Sequence, residues 1–168
     1  LTVFDESGNV LVESTVVSDG GGNAPCVGDF DGDGEPEVAI TSTFSVTAME
    51  TDGSTMWTIG SNDPSSGGTP CTAWDFDGDG DFEILVQDHD KFRILDGMTG
   101  TALLTENGHA SGTLNEQPVP VDADRDGSTE IIVAANDYYI SGWDGIYVLG
   151  ELNDEWTTTR TTWNQGPF

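Results

Sequence analysis

The sequence predicts an all-β fold of β-propeller blades: three four-stranded antiparallel blades plus a half blade, part of a larger propeller. Three observations carry this. Near-identical acidic windows recur three times, with starts 46 and 47 residues apart. Each window sits between two β-rich runs. Each repeat then continues into a strand–turn–strand unit whose turn holds Gly or Asp. Four antiparallel strands in a repeat of this length is the signature of a propeller blade.

The windows align without gaps: Asp29-Phe-Asp-Gly-Asp-Gly-Glu-Pro-Glu37, Asp75-Phe-Asp-Gly-Asp-Gly-Asp-Phe-Glu83 and Asp122-Ala-Asp-Arg-Asp-Gly-Ser-Thr-Glu130. A short strand precedes each, entered through Pro25, Pro70 or Pro118. The runs Val38 to Ile40, Ile84 to Val86 and Ile131 to Ala134 follow, β-branched and apolar enough to be buried strands. The outer hairpins are predicted from Ser45 through Asp52-Gly53 to Ile59, from Phe92 through Asp96 to Thr105, and from Ile146 through Glu151 to Thr159, whose last strand is Trp156 to Thr159.

These units divide the chain as one propeller segment, 1–168. Residues 1–14 read as the outer hairpin of a preceding blade. Blades follow at 23–60, 68–107 and 116–160, and 161–168 is a tail or the start of a further blade. The third repeat is longer, with its extra residues around 136–145. Propellers close with about 4–8 blades, so further blades are expected in the same parent chain or in neighbouring subunits.

Composition narrows the function. Among 168 residues there are 31 acids against four Lys and Arg, a formal charge of −27. Nothing could neutralise phosphates, which excludes nucleic acid as a partner. The same deficit argues against attraction to an anionic membrane surface, and no apolar run reaches the length of a membrane span. Three readings of so acidic a chain remain: cation binding, a saline habitat, or disorder. Five Trp and seven Phe speak against disorder. So does the clustering of charge: the three windows hold five, five and four of the acids.

Calcium takes six to eight oxygen ligands. Carboxylates at alternate positions along a short loop can converge on one ion. Positions one, three and five supply Asp29, Asp31 and Asp33; Asp75, Asp77 and Asp79; and Asp122, Asp124 and Asp126. Gly34, Gly80 and Gly127 at position six allow the backbone to turn sharply. Position seven (Glu35, Asp81, Ser128) can offer its carbonyl, and position nine (Glu37, Glu83, Glu130) can close the site. About three calcium ions, one per loop, are therefore expected. An EF-hand would need Glu at position twelve and flanking helices; here position twelve is Ile40, Val86 or Val133, on a strand. Zinc is disfavoured because the loops hold neither His nor Cys.

These loops and their spacing resemble the FG-GAP/VCBS repeats of the integrin-α-like β-propeller superfamily. The resemblance implies that each loop joins the first and second strands of a blade and binds calcium. Two departures are Glu rather than Asp at position nine, and Arg125 at position four where the other loops have Gly32 and Gly78. The run from Trp156 to Gln165 is also similar to a segment of bacterial surface proteins with such repeats; Gly166 stands where that run usually continues with His.

Cys26 and Cys71 each follow a Pro at the start of a blade, as a disulfide or as two buried thiols. His89, between Asp88 and Asp90, reads as part of a solvated turn, and His109 as part of a Gly-rich loop. Tyr138, Tyr139 and Trp143 in the extra segment are candidate ligand contacts, for a sugar ring or a protein. Trp57, Trp74, Trp156 and Trp163 suit inter-blade packing. No nucleophile elbow or phosphate-cradling loop occurs, so no catalytic residue is assigned. The expected function is a non-catalytic, extracellular, secreted or cell-surface calcium-binding module in adhesion, scaffolding or surface assembly, with a protein or glycan as partner. A lectin-like propeller and a non-catalytic part of a polysaccharide-degrading enzyme are the alternatives.

Overall fold

The computed structural model describes residues 2–13, 22–64, 68–109, 111–112, 116–138 and 144–161. All regular structure among them is β, and none of it is a helix long and apolar enough to cross a membrane. A hairpin of β1 (Thr2–Phe4) and β2 (Val10–Glu13) comes first. Two four-stranded antiparallel sheets follow. One is ordered β3 (Cys26–Gly28), β4 (Glu37–Thr41), β5 (Ser45–Met49), β6 (Thr55–Gly60); the other is β7 (Thr72–Trp74), β8 (Glu83–Gln87), β9 (Lys91–Leu95), β10 (Ala102–Asn107). The third sheet has three strands: β11 (Val119–Val121), β12 (Glu130–Ala135) and β13 (Gly145–Leu149). In all three sheets chain order equals sheet order, as a propeller-like meander requires.

Every residue of β8 is buried. Side chains alternate across a strand, so β8 feeds two cores. Ile84 and Val86 join Phe30, Ala39, Val46, Ala48 and Leu95, with Trp57 and Phe82 packed alongside. Leu85 points the other way, to Phe76, Phe92, Ile94, Ile131 and Val133, with Trp74, Leu104, Tyr147 and Trp156 around them. The middle sheet is thus covered on both faces, which is why its central strand reads as a continuous apolar run. The outer strands β6 and β10 hold only exposed and half-buried residues.

Adjacent sheets are tied at their inner strands. Cys26 and Cys71 form a disulfide with a Cα–Cα distance of 5.4 Å. The Thr41 hydroxyl donates to Thr69 O at 2.5 Å, and the Thr72 hydroxyl to Pro118 O at 2.6 Å. From the outer strand β6, Trp57 donates its indole N–H to Gly97 O, 2.7 Å away in the turn between β9 and β10. Pro120 is accommodated in β11 because that strand pairs on one side only, with β12.

One element differs from the sequence expectation. The fourth strand predicted at Trp156 to Thr159 does not form, and the third sheet has three strands among the described residues. The Thr-rich run has strand propensity, but its backbone bonds elsewhere: Thr157 N–H donates to Phe76 O at 2.8 Å. Tertiary partners override β-propensity here.

Candidate metal centre

Each acidic loop joins the first and second strands of its sheet, and the three are built alike. In the first, the Asp29 carboxylate accepts the N–H groups of Gly32 and Gly34 at 2.8 and 2.9 Å. Asp31 accepts from Asp33 at 3.2 Å, and Asp33 from Glu35 at 2.8 Å. In the second, Asp75 accepts from Gly78 and Gly80 at 2.7 and 3.2 Å, Asp77 from Asp79 at 3.3 Å, and Asp79 from Asp81 at 2.9 Å. In the third, Asp122 accepts from Arg125 at 2.7 Å, Asp124 from Asp126 at 3.1 Å, and Asp126 from Ser128 at 2.8 Å. These bonds curl the backbone so that the carboxylates stay on its inner side. The curl needs positive φ at position six: 91° at Gly34, 102° at Gly80 and 97° at Gly127. Position four is also left-handed, and Arg125 adopts it at φ 72°.

Position nine closes each loop from the strand side. Glu37, Glu83 and Glu130 use Oε2 to accept the N–H of position two: Phe30 at 2.6 Å, Phe76 at 2.8 Å and Ala123 at 2.7 Å. One oxygen thereby fixes the side chain, and Glu83 and Glu130 also bring a carboxylate oxygen to two Asp carboxylates of their loops. Carboxylate oxygens converge within 4.8 Å of one another from Asp29, Asp31 and Asp33 in the first loop, from Asp75, Asp77 and Glu83 in the second, and from Asp122, Asp124 and Glu130 in the third. Asp79, Asp126 and Glu37 lie outside these tightest groups. At position seven, Ser128 turns its hydroxyl to Trp156 O at 3.4 Å. Asp81 turns its carboxylate toward the preceding loop, where Oδ1 lies 2.1 Å from the site a Cβ on Gly32 would occupy. The side chains of Ser128 and Asp81 are thus engaged by neighbouring segments.

Packing acids together without a cation raises their pKa values. Burial, followed by repulsion from Asp77, Asp75 and Asp79, pushes Glu83 up to about 7, although the Phe76 N–H opposes the rise. Glu37 is raised by burial and by Asp31, Glu50 and Asp29. Asp81 is raised by burial and by Asp79, Asp29 and Asp31. The donor set is entirely hard oxygen, carries several negative charges and contains no nitrogen or sulfur, which fits calcium. Position twelve falls inside β4, β8 and β12, so these are strand–loop–strand sites.

The other sequence candidates divide. Tyr138 is 73% exposed, while Tyr139, Trp143 and Trp163 lie outside the described residues. His89 corrects the reading of a solvated turn: it is buried, with Nε2 2.9 Å from Asp63 Oδ1. Beside it Arg93 meets Asp88 at 3.1 Å, also buried. His109 is buried too, its ring 4.3 Å from that of Tyr147 in a T-shaped contact. The sequence offered only the spacing of Asp88, His89 and Asp90 as a signal, and that pattern equally suits an exposed turn. This network lies between the sheets, at the strand ends away from the acidic loops. A cleft of about 300 Å³ opens beside the second loop, between Phe76, Leu104 and Trp156, with Asp77 and Glu83 at its edge.

Residues 21–55, spanning the first acidic loop and the strands around it, match the FG-GAP repeat family. Among solved structures, the chain is similar to the V. cholerae biofilm matrix protein Bap1 at 30% sequence identity and a TM-score of 0.71. The match covers 77% of this chain and 22% of that one, so the chain spans less than a quarter of the matrix protein's length. No curated protein sequence matches it.

Proposed function

We propose that this chain is a calcium-binding, propeller-type module of the VCBS and integrin-like kind, acting outside the cell in adhesion, scaffolding or surface assembly, without catalysis of its own. One observation carries the reading: three loops, each closed by a Glu bonded to the position-two amide, gather carboxylate oxygens within 4.8 Å. Such a site offers rigidity, because a bound cation replaces mutual repulsion with attraction and links ion binding to folding. The matching FG-GAP repeat, the likeness to a biofilm matrix protein and the disulfide support a place outside the cell.

The partner is a protein or glycan at the cell surface. Further blades, in the same parent polypeptide or in neighbouring subunits, would cover Phe4, Val10 and Leu11 on the first hairpin and Ile146 and Val148 on β13, all more than half exposed. Tyr138 keeps a carbohydrate-binding propeller as the second reading.

Beads carrying the chain should adhere to a matrix-coated surface in calcium and release in chelator. Adhesion that ignores calcium would refute the calcium-dependent module. A glycan array separates the two partner classes: binding to defined glycans supports the lectin reading, and binding only to protein-bearing surfaces supports the scaffold.

A further inference from the structure

The first and second loops touch directly. Phe82, at position eight of the second loop, donates its N–H to Asp29 O at 2.8 Å. Its counterpart in the third repeat is Thr129, and the matching acceptor would be Asp75 O. That bond is replaced. Thr157 is inserted between the two loops, and its hydroxyl donates to Asp75 O at 2.5 Å while its N–H donates to Phe76 O at 2.8 Å. On the other side the Thr129 hydroxyl donates to Thr157 O, the Ser128 hydroxyl to Trp156 O at 3.4 Å, and Asp122 N–H to Arg160 O at 3.2 Å. The Trp156 ring lies 4.9 Å from Phe76.

Position four shows the same substitution of one element for another. A Cβ on Gly32 would meet Asp81 of the following loop at 2.1 Å, and a Cβ on Gly78 would meet Thr157 Cγ2 at 2.9 Å. Arg125, the third residue of this set, has the same left-handed backbone yet is exposed. Glycine thus stands where a neighbour leans on the loop, and a long side chain stands where the position is open to solvent.

We propose that Trp156–Arg160 is a strap that couples the second and third loops, with Thr157 as its positioning residue, so that a cation at one loop strengthens binding at the other. The inference rests on the calcium reading above. The strap holds backbone groups of Asp75 and Asp122, the position-one residues of the two loops. A cation that fixes one of these backbones orders the strap, and the ordered strap holds the other loop in its binding shape. The second ion then meets a loop already ordered, which is positive coupling. Coupling of this kind is reciprocal.

The test follows calcium at the third loop through the amide resonance of Gly127, in the whole chain. Asp77→Ala empties the second loop and should weaken the third about five-fold, the scale of one hydrogen bond. Thr157→Val, which deletes the hydroxyl to Asp75 O and keeps the side-chain shape, should weaken the third loop similarly. Adding Asp77→Ala to it should then change nothing more. Thr129→Val, which removes the contact from the opposite side, gives the same readout should Thr157→Val unfold the chain. Coupling between the first and second loops, through Phe82 and Asp29, should survive both strap variants. A third loop whose affinity ignores Asp77→Ala would overturn the strap. So would a third loop that responds equally with and without the Thr157 hydroxyl. Calcium binding at no loop would overturn the proposed function as well, which separates the two failures.

Discussion

Glu83→Gln should act in opposite directions with and without calcium. In the calcium-free fold Glu83 titrates at about 7, against an ordinary value of 4.5, because burial and the Asp77, Asp75 and Asp79 carboxylates disfavour its charge. A raised pKa means that the folded chain holds this proton more tightly than the unfolded chain. The group's contribution to stability is therefore greatest below about pH 4.5, declines as pH rises, and is lost above about pH 7. At 1.36 kcal/mol per pKa unit, ionising Glu83 at pH 8 costs about 3 kcal/mol. Glutamine keeps an oxygen to accept the Phe76 N–H, which Glu83 now binds at 2.8 Å, and carries no charge. In metal-free buffer at pH 8 the variant should unfold at higher denaturant than the parent, by up to about 3 kcal/mol. At pH 4 the two should nearly coincide. In millimolar calcium the order should reverse, because the variant lacks a charged ligand at the second loop. Urea unfolding at the two pH values, with calcium and without, reads all of this. A metal-free variant less stable than the parent at pH 8 would refute the reasoning, since Glu83 could not then be a buried charge without compensation.

Two further outcomes follow from the packing. Replacing Cys26 and Cys71 together by alanine opens a crosslink across a sequence separation of 45. It should lower the unfolding free energy by about 4 kcal/mol in the chain-entropy account; an unchanged denaturant midpoint would contradict it. Gly97→Ala would place a Cβ 2.1 Å from Phe82 O and 3.0 Å from Phe30 Cβ, whereas Gly60→Ala meets nothing within 4 Å. The first should lower the melting temperature, at about 1–3 kcal/mol of overpacking, and the second should lower it far less. Equal melts would show that the seam between the first two sheets is loosely packed.

The loops and strands were legible because their signals are local. Alternating Asp followed by Gly defines a backbone curl within six residues, and Ile84 to Val86 reads as a strand whatever surrounds it. What was not legible depends on neighbours. The run from Trp156 carries strand-forming threonines, yet Phe76 and Thr129 capture its backbone, from residues distant in the chain. Asp81 is expected to offer its own loop a carbonyl, and nothing local says that its carboxylate leans on Gly32 of the preceding loop. His89 between two aspartates has the pattern of a wet turn, and only the packing of Asp63 against it makes it a buried pair. The pairing of Cys26 with Cys71 was open for the same reason: it depends on how closely two inner strands approach.

Calorimetric titration of the chelator-treated chain with calcium should return three bound ions in the parent chain. In Asp77→Ala it should show the loss of the second loop's ion, with the first and third loops still able to fill. A stoichiometry of zero or one in the parent would contradict this and reduce the three loops to solvated acidic turns.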